Sequence, residues 1–241
     1  MSTEPLAATV AEADRAALAR VCALPLADFR DEHLATQLRR ALASERVADV
    51  AALTRRLAAD ATALTRFRRS IAVSVSGRFR DPQQFELLER ELLPPLLRQP
   101  GRVRVWSAGC ADGSELISAG LLLERLGALE RAQLLGSDLL EENLRRAREF
   151  DPTLPAQLRA RLRWERRDLL AGAAPGGAWQ LILCRNVAIY FNRPARERLE
   201  RLLAGALAPG GVLLLGRAER LRDPAALGLV AAGPHAYRRS G

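Results

Sequence analysis

Apolar residues recur at helical spacing through residues 1–70. Leu6 to Val21, Glu32 to Ser44 and Val47 to Ala59 each set Ala, Leu and Val three or four positions apart, with arginines and acids between. That spacing predicts three amphipathic helices. Leu24-Pro-Leu26 breaks the first from the second, and a Ser-Glu-Arg turn the second from the third. A small helical bundle follows, which either covers one face of the next domain or meets a partner. Thr65 to Arg80 reads as a link. It holds the alternating Val73-Ser-Val-Ser76 and the turn Gly77-Arg-Phe-Arg-Asp-Pro82. Its two hydroxyls and two arginines are either pocket-lining groups or ordinary loop polar groups; the residues alone favour the latter.

Beyond an amphipathic helix at Phe85 to Leu97, ended by Arg-Gln-Pro-Gly, the period changes. Val103-Arg-Val-Trp106 alternates, Ser107-Ala-Gly109 opens a turn, and Gly113 begins a run whose Leu116 to Leu126 reads as a helix. Strand, glycine-containing turn and helix in that order form the first unit of a nucleotide-binding α/β fold. Glycine admits a ligand to the backbone there, and the helix presents its first N–H groups to it. Arg131 to Asp138 predicts a second strand with an acid at its end. Such an acid commonly accepts hydrogen bonds from ribose hydroxyls. It can equally start the helix Leu140 to Phe150, and the upstream glycine turn favours the ribose. Arg161-Leu-Arg-Trp-Glu gives a third strand with Asp168-Leu-Leu after it, and Ala178 to Cys184 is apolar enough for a central buried strand. That strand runs into Arg185-Asn-Val187, with Ile189-Tyr-Phe191 following; polar groups at the carboxyl end of a central strand sit where open α/β sheets bind ligands. Pro194 to Leu207 is a helix with Pro at its start. Pro209-Gly-Gly makes a turn into a strand at Val212 to Leu215, and residues 226–238 add an edge strand or hairpin with Pro234 at its bend. There is no internal repeat or low-complexity linker.

The length of 241 residues, 49% of them hydrophobic, suits one α/β domain with a small accessory domain. The formal net charge of +9 comes from arginine alone, since the chain has no lysine; with so much Ala and Leu this reads mainly as the coding bias of a GC-rich genome. The arginines are scattered beside glutamates with no aromatic–basic platform, so no nucleic-acid partner is expected. Cys22, Cys110 and Cys184 are far apart and form no metal-ligand spacing, and His33 and His235 do not rescue one. A reduced cytoplasmic protein with buried thiols and no metal follows. No apolar run approaches membrane-spanning length and no signal-peptide pattern opens the chain, so membrane insertion is not expected.

Several stretches, in order, carry a resemblance: Ser76-Gly-Arg-Phe-Arg-Asp-Pro-Gln-Gln-Phe85, Arg104-Val-Trp-Ser-Ala-Gly-Cys110, Gly136-Ser-Asp138, Asp168-Leu-Leu, Leu183-Cys-Arg-Asn-Val-Ala-Ile-Tyr-Phe191 and Pro209-Gly-Gly-Val-Leu-Leu-Leu-Gly216. The chain resembles the CheR-type S-adenosylmethionine-dependent protein-glutamate O-methyltransferases of bacterial chemotaxis, from its helical N-terminal region to Tyr237. The resemblance implies a doubly wound (Rossmann-like) α/β class I methyltransferase sheet over 71–241, with a small N-terminal helical domain over 1–70. It implies S-adenosyl-L-methionine as cofactor and S-adenosyl-L-homocysteine as product. Arg80 and Tyr190 would stand beside the transferred methyl group. Arg80, Ser74 and Ser76 would reach the cofactor, the two serines standing where the family usually has Asn and Thr. Gly109 would form the glycine turn against it. Glu115 would receive the methionine amino group, Asp138 the ribose, and Asp168 with Leu169 the adenine side; Asn186 and Val187 would floor the cleft. Three departures bear on the acceptor. The family's Gly-Glu-Glu-Pro-Tyr-Ser is Gly113-Ser-Glu-Leu-Ile-Ser118 here, and its Phe-Phe-Arg keeps only Phe79 before Arg80. Glu149 to Ala160 leaves no room for the β-subdomain with which many members grip a receptor tail.

Methyl transfer from a sulfonium is an in-line displacement that needs alignment above all. A glutamate side chain, with a pKa of about 4.3, is ionised at neutral pH and needs no general base, whereas amines and hydroxyls often do. Neither histidine falls in a motif lining the expected cleft, which favours a carboxylate. Arg80 would orient it through a charge-assisted pair, and Tyr190 would add a hydrogen bond or pack on the methyl group. Taken without the resemblance, Arg80 reads as a surface partner of Asp81 or Glu86, and Tyr190 as a half-buried core aromatic. Three functions stand: methyl-ester formation on a protein glutamate, of a chemoreceptor or related protein; methylation of another acceptor, small molecule or protein; or a cofactor-binding scaffold that no longer catalyses.

Overall fold

The structure is a computed structural model, and it describes residues 10–72, 77–149 and 152–241. The chain forms two compact units, Met1–Ser74 with Tyr190–Ala195, and Val75–Ile189 with Arg196–Gly241.

In the first unit, α1 (Glu12–Cys22), a 3-10 turn at Leu26–Asp28, α2 (Asp31–Glu45), α3 (Val50–Ala59) and α4 (Ala61–Ala72) pack around Leu18, Leu34, Leu53, Leu57 and Ile71. Helices α1 and α2 stop where Ala23 and Arg46 turn left-handed, a common helix ending. The Asp49 carboxylate caps α3 by accepting from Ala52 N at 2.7 Å. Helix α4 occupies residues that the sequence reads partly as a link. The Asp60 carboxylate starts it, accepting from Thr62 and Ala63 N, and Ala63, Phe67 and Ile71 bury one stripe four residues apart. The segment Tyr190–Ala195 is tied to this unit. Phe191 forms an antiparallel bridge with Phe29, Arg30 N donates to Tyr190 O at 2.9 Å, and Asn192 N to Asp28 O at 2.8 Å.

The second unit opens with α5 (Pro82–Leu87), a π-turn at Leu88–Leu92 and α6 (Leu93–Leu97), in place of the single regular helix expected. Pro94 and Pro95 have no N–H to give, so the preceding turn widens. Then follow β1 (Val103–Ala108), α7 (Ser114–Arg125), β2 (Ala132–Asp138), α8 (Glu141–Arg148), α9 (Ala156–Arg161), β3 (Leu162–Arg166), β4 (Trp179–Cys184), α10 (Arg193–Ala206, whose first residues belong to the helical unit), β5 (Leu207–Leu215), β6 (Leu229–Gly233) and β7 (Ala236–Arg239). Helix α9 was not anticipated; Leu158 is its one buried residue, too weak a pattern to show in sequence.

The sheet runs β3-β2-β1-β4-β5-β7-β6. Its first five strands are parallel and β7 and β6 antiparallel. Parallel strands buried on both faces need apolar side chains throughout, and Val105, Leu134, Leu181, Leu183 and Val212 are fully buried among Leu92, Leu116 and Leu123. Strand β5 continues through Pro209-Gly-Gly, where the sequence predicts a turn. Pro209 cannot donate to the ladder and Gly210 has φ 73°, so pairing with β4 shifts register between Trp179 and Leu181. Because β2 and β4 flank β1, the winding reverses there, and a crevice opens at the carboxyl ends of these strands.

Candidate functional site

At the end of β1, Gly109 has φ 77°, and a Cβ built on it would stand 2.6 Å from Val187 Cγ2. Only glycine fits that conformation and that approach. Gly109 N and Cys110 N both donate to Ser137 O, at 2.8 and 2.9 Å, which joins the turn to the end of β2. Asp138 stands one layer behind. Its Oδ2 accepts from Ala111 N at 2.9 Å, and its Oδ1 from Leu140 N at 2.9 Å and Asn143 Nδ2 at 3.0 Å. Asp138 does not cap α8, whose N-cap is Leu140 with no side-chain cap bond. Its carboxylate instead ties together the connection between β2 and α8, where the Leu139 N–H also favours its charged form. Burial raises the Asp138 pKa against those hydrogen bonds.

Gly113, at φ 82°, leads into α7 and puts Glu115 in its first turn. Glu115 Oε1 accepts from Ser107 Oγ at 2.7 Å, and Oε2 lies 3.4 Å from an Arg185 guanidinium nitrogen. Burial raises the Glu115 pKa, and Arg185 opposes the rise. Arg185, its side chain 3% exposed, is the hub. Its Nε donates to Gln84 Oε1 at 2.9 Å, and its Nη2 to Arg80 O at 2.5 Å and Asp81 Oδ2 at 3.0 Å. The guanidinium also lies 5.0 Å above the Phe85 ring. A buried cation is tolerable only when so paired.

The Gly77–Asp81 turn is bent around Arg80. Phe79 and Asp81 both adopt left-handed backbone, at φ 53° and 58°, each costing about 1–3 kcal/mol. Phe79 N donates to Ser118 Oγ at 2.9 Å, and Arg185 grips the next carbonyl. The resulting cleft is lined by Gly77 and Arg80 from this turn, Gly109 to Ala111 after β1, Glu115 from α7, and Arg185 and Asn186 after β4. Burial and the nearby Asp138 and Glu115 carboxylates push the Cys110 thiol pKa well up, so the thiol stays protonated.

Of the residues expected from sequence, Arg80, Gly109, Glu115 and Asn186 meet on this cleft, with Val187 pressed on Gly109. Asp168, after β3, uses Oδ1 to hold Leu170 N and Ala171 N, and Leu169 is buried; neither lines the cleft. Ser74 and Ser76 lie outside the described residues. Tyr190 belongs to the helical unit and Arg80 to the other. The Tyr190 ring lies 4.8 Å from that of His33, whose pKa burial lowers and whose Nε2 meets Ile71 O at 2.9 Å. Asp81, which with Glu86 is a surface partner for Arg80 when the resemblance is set aside, pairs with Arg185 and lies 3.7 Å from Arg217.

A family model described as the CheR methyltransferase SAM-binding domain matches residues 74–152 and 151–232. The chain belongs to the CheR methyltransferase family. A chemotaxis protein methyltransferase of Listeria innocua is 32% identical over 196 residues, covering 70% of this chain and 74% of that one. The putative methyltransferase Cher3 of Pseudomonas putida is 31% identical over 226 residues, 80% of this chain and 82% of its own. Chemotaxis protein methyltransferase 1 of Pseudomonas aeruginosa is 30% identical over 179 residues, 60% and 65% of the two chains.

As a CheR methyltransferase the chain uses S-adenosylmethionine, and its mostly parallel sheet is doubly wound. The residues present fit that cofactor. Gly109 brings bare backbone to the cleft, and Glu115 sets a carboxylate on the cleft wall. Three residues without an expected role build this CheR cleft: Arg185 lines it, while Gln84 holds Arg185 and Glu219 holds Asn186 and Val187 from behind. Arg185 stands in the Leu183–Phe191 stretch, where the resemblance implies no role for it. Glu219 is 1% exposed and nothing in its sequence context marks it.

Proposed function

We propose that this methyltransferase forms a methyl ester on a glutamate side chain of a protein, with a chemoreceptor as the expected acceptor. One observation carries the reading: the cleft-lining groups that could take a proton are already committed. Glu115 serves Ser107 and Arg185, Arg185 is held by two carboxylates, and the Cys110 thiol stays protonated. An acceptor entering such a cleft does best to arrive as a competent nucleophile, and a glutamate with a pKa of about 4.3 does so at neutral pH.

The cofactor supplies a methyl carbon activated by a sulfonium. Glu115 would meet its amino group; a ribose hydroxyl on Asp138 is carried by family resemblance. Gly109, Asn186 and Val187 would form the wall against it. Asp168 and Leu169 on the adenine side, and Ser74 and Ser76, are carried by family resemblance. Arg80 has an exposed side chain on a main chain fixed by Arg185; it would orient the incoming carboxylate, while a role for Tyr190 is carried by family resemblance alone. An ionised carboxylate would take the activated methyl group with no proton to lose, so no residue of this chain would be needed as a base. Relatives named chemotaxis protein methyltransferases support the receptor.

A second reading, a different acceptor, is favoured by the short connection before β3. The described residues 152–161 hold a turn and α9, with no strand for gripping a receptor tail. Calorimetric titration with S-adenosylmethionine, followed by transfer of labelled methyl to protein acceptors, tests both readings. Label released by mild base supports the ester; base-stable label refutes it, and a folded protein that binds no cofactor refutes the enzyme.

A further inference from the structure

Glu219, in the loop after β5, is a buried acid to which the chemistry above assigns nothing. Its Oε2 accepts from Asn186 N at 2.7 Å and Gly216 N at 2.8 Å, and its Oε1 from Val187 N at 2.9 Å and Ile189 N at 3.2 Å. We infer that Glu219 is a positioning residue of the cofactor cleft: its carboxylate clamps the Asn186–Ile189 turn at the end of β4 to the Gly216 turn at the end of β5. It thereby fixes the wall that Asn186 and Val187 present.

A carboxylate has about four acceptor directions, and four main-chain donors fill them, so Glu219 has no capacity left to act as a base. The clamp is tight on both sides. Asn186 is held left-handed at φ 60°, a conformation that persists only when its surroundings enforce it. A Cβ on Gly216 would lie 2.7 Å from both Asn186 N and Glu219 Oε2, so that position admits no side chain. The Glu219 main chain is steadied in turn, its carbonyl lying 2.8 Å from His235 Nδ1. Without the carboxylate these N–H groups lose their acceptors at the lip of the cleft, and the turn must open to find water. Opening it would move Val187 off Gly109 and Asn186 off the cleft. This inference rests on the cleft being the cofactor site.

Glu219→Gln tests it, because an amide keeps the size but replaces one acceptor oxygen with a donor facing N–H groups. Glu200→Gln is the control: Glu200 is also buried but pairs with Arg196 at 2.9 Å on α10. Both full-length variants are melted and titrated calorimetrically with S-adenosylhomocysteine. Folded Glu219→Gln is expected to bind about tenfold more weakly or worse, while Glu200→Gln stays within about twofold of wild type at whatever cost in melting temperature. Binding by Glu219→Gln within that same margin overturns the inference. Should the variant not fold, hydrogen exchange on the wild-type chain decides. The amides of Asn186, Val187, Ile189 and Gly216 should be slow and exchange as one group; exchange at open-loop rates overturns the clamp. A wild type that binds no S-adenosylhomocysteine would remove the cofactor reading, while the exchange pattern still reports on the clamp.

Discussion

Gly109→Ala is the sharpest probe of how the cleft wall is built. Two costs can be separated. A side chain at φ 77° costs roughly 1–2 kcal/mol for left-handed backbone. The new Cβ would also lie 2.6 Å from Val187 Cγ2, and forcing a methyl into packed space costs about 1–3 kcal/mol. Val187 is not free to yield, because its N–H is held at 2.9 Å by Glu219. The total, about 2–5 kcal/mol, corresponds to a fall in melting temperature of roughly 5–15 °C for a chain of this size. Val187→Ala removes the two methyls and leaves its Cβ at 3.7 Å, an ordinary contact. In a double-mutant cycle the pair should therefore recover the steric part, about 1–3 kcal/mol, and leave the backbone part. Thermal melts give the stability cycle and calorimetric titration with S-adenosylhomocysteine the binding cycle. If the two substitutions add within about 0.5 kcal/mol, the close approach of Gly109 to Val187 is not what shapes this wall.

Asp138→Asn keeps two of the three hydrogen bonds but turns an amide toward Ala111 N–H. It should cost about 1–3 kcal/mol in stability and weaken S-adenosylmethionine binding; unchanged calorimetric affinity would remove Asp138 from the cofactor's partners. Arg80→Ala should chiefly lower kcat, and a normal turnover number would return Arg80 to the surface. The Glu115 pKa is raised by burial. Its contribution to stability is therefore present below the ordinary carboxylate range and lost as pH rises through the elevated folded value. Glu115→Gln cannot lose that contribution, so its melting temperature should improve relative to wild type as pH rises from acid to neutral. A pH-independent difference would refute the sign.

What was legible in the sequence is what apolar periodicity and strand ends encode. Val103–Ala108 and Trp179–Cys184 are strands because parallel strands buried on both faces must be apolar, and the polar letters after them mark the crevice. Helix α4 was read partly as a link, although Ala63, Phe67 and Ile71 carried its stripe. The π-turn at Leu88–Leu92 could not be read, since it differs from an α-helix in hydrogen bonding and not in which residues are apolar. Glu219 was invisible for a related reason: its partners are main-chain N–H groups, and no letter denotes them. Gly109 was legible as a turn glycine, but Val187, which makes it obligatory, lies 78 positions on. The meeting of His33 and Tyr190 is equally long-range.

The placement of charge in the α/β unit ranks the acceptors. Glu115, Asp138 and Glu219 are carboxylates turned inward, the last two serving main-chain and amide donors and the first serving Ser107 and Arg185. Of the three only Glu115 lines the cleft, and under the proposed reading it is the one that faces the cofactor's ammonium. The cations lie farther out: the Arg80 side chain is exposed, and that of Arg217 is 64% exposed beside Asp81. An amine acceptor would have to pass those guanidinium groups while charged and then lose its proton to a base, for which the committed carboxylates have little spare capacity. A carboxylate is drawn by the same cations and arrives ionised. Arg185 keeps the two zones distinct. Its guanidinium binds Asp81 on the outer side and Glu115 on the inner, so neither carboxylate is available to neutralise an incoming acid or to take a proton from an incoming amine.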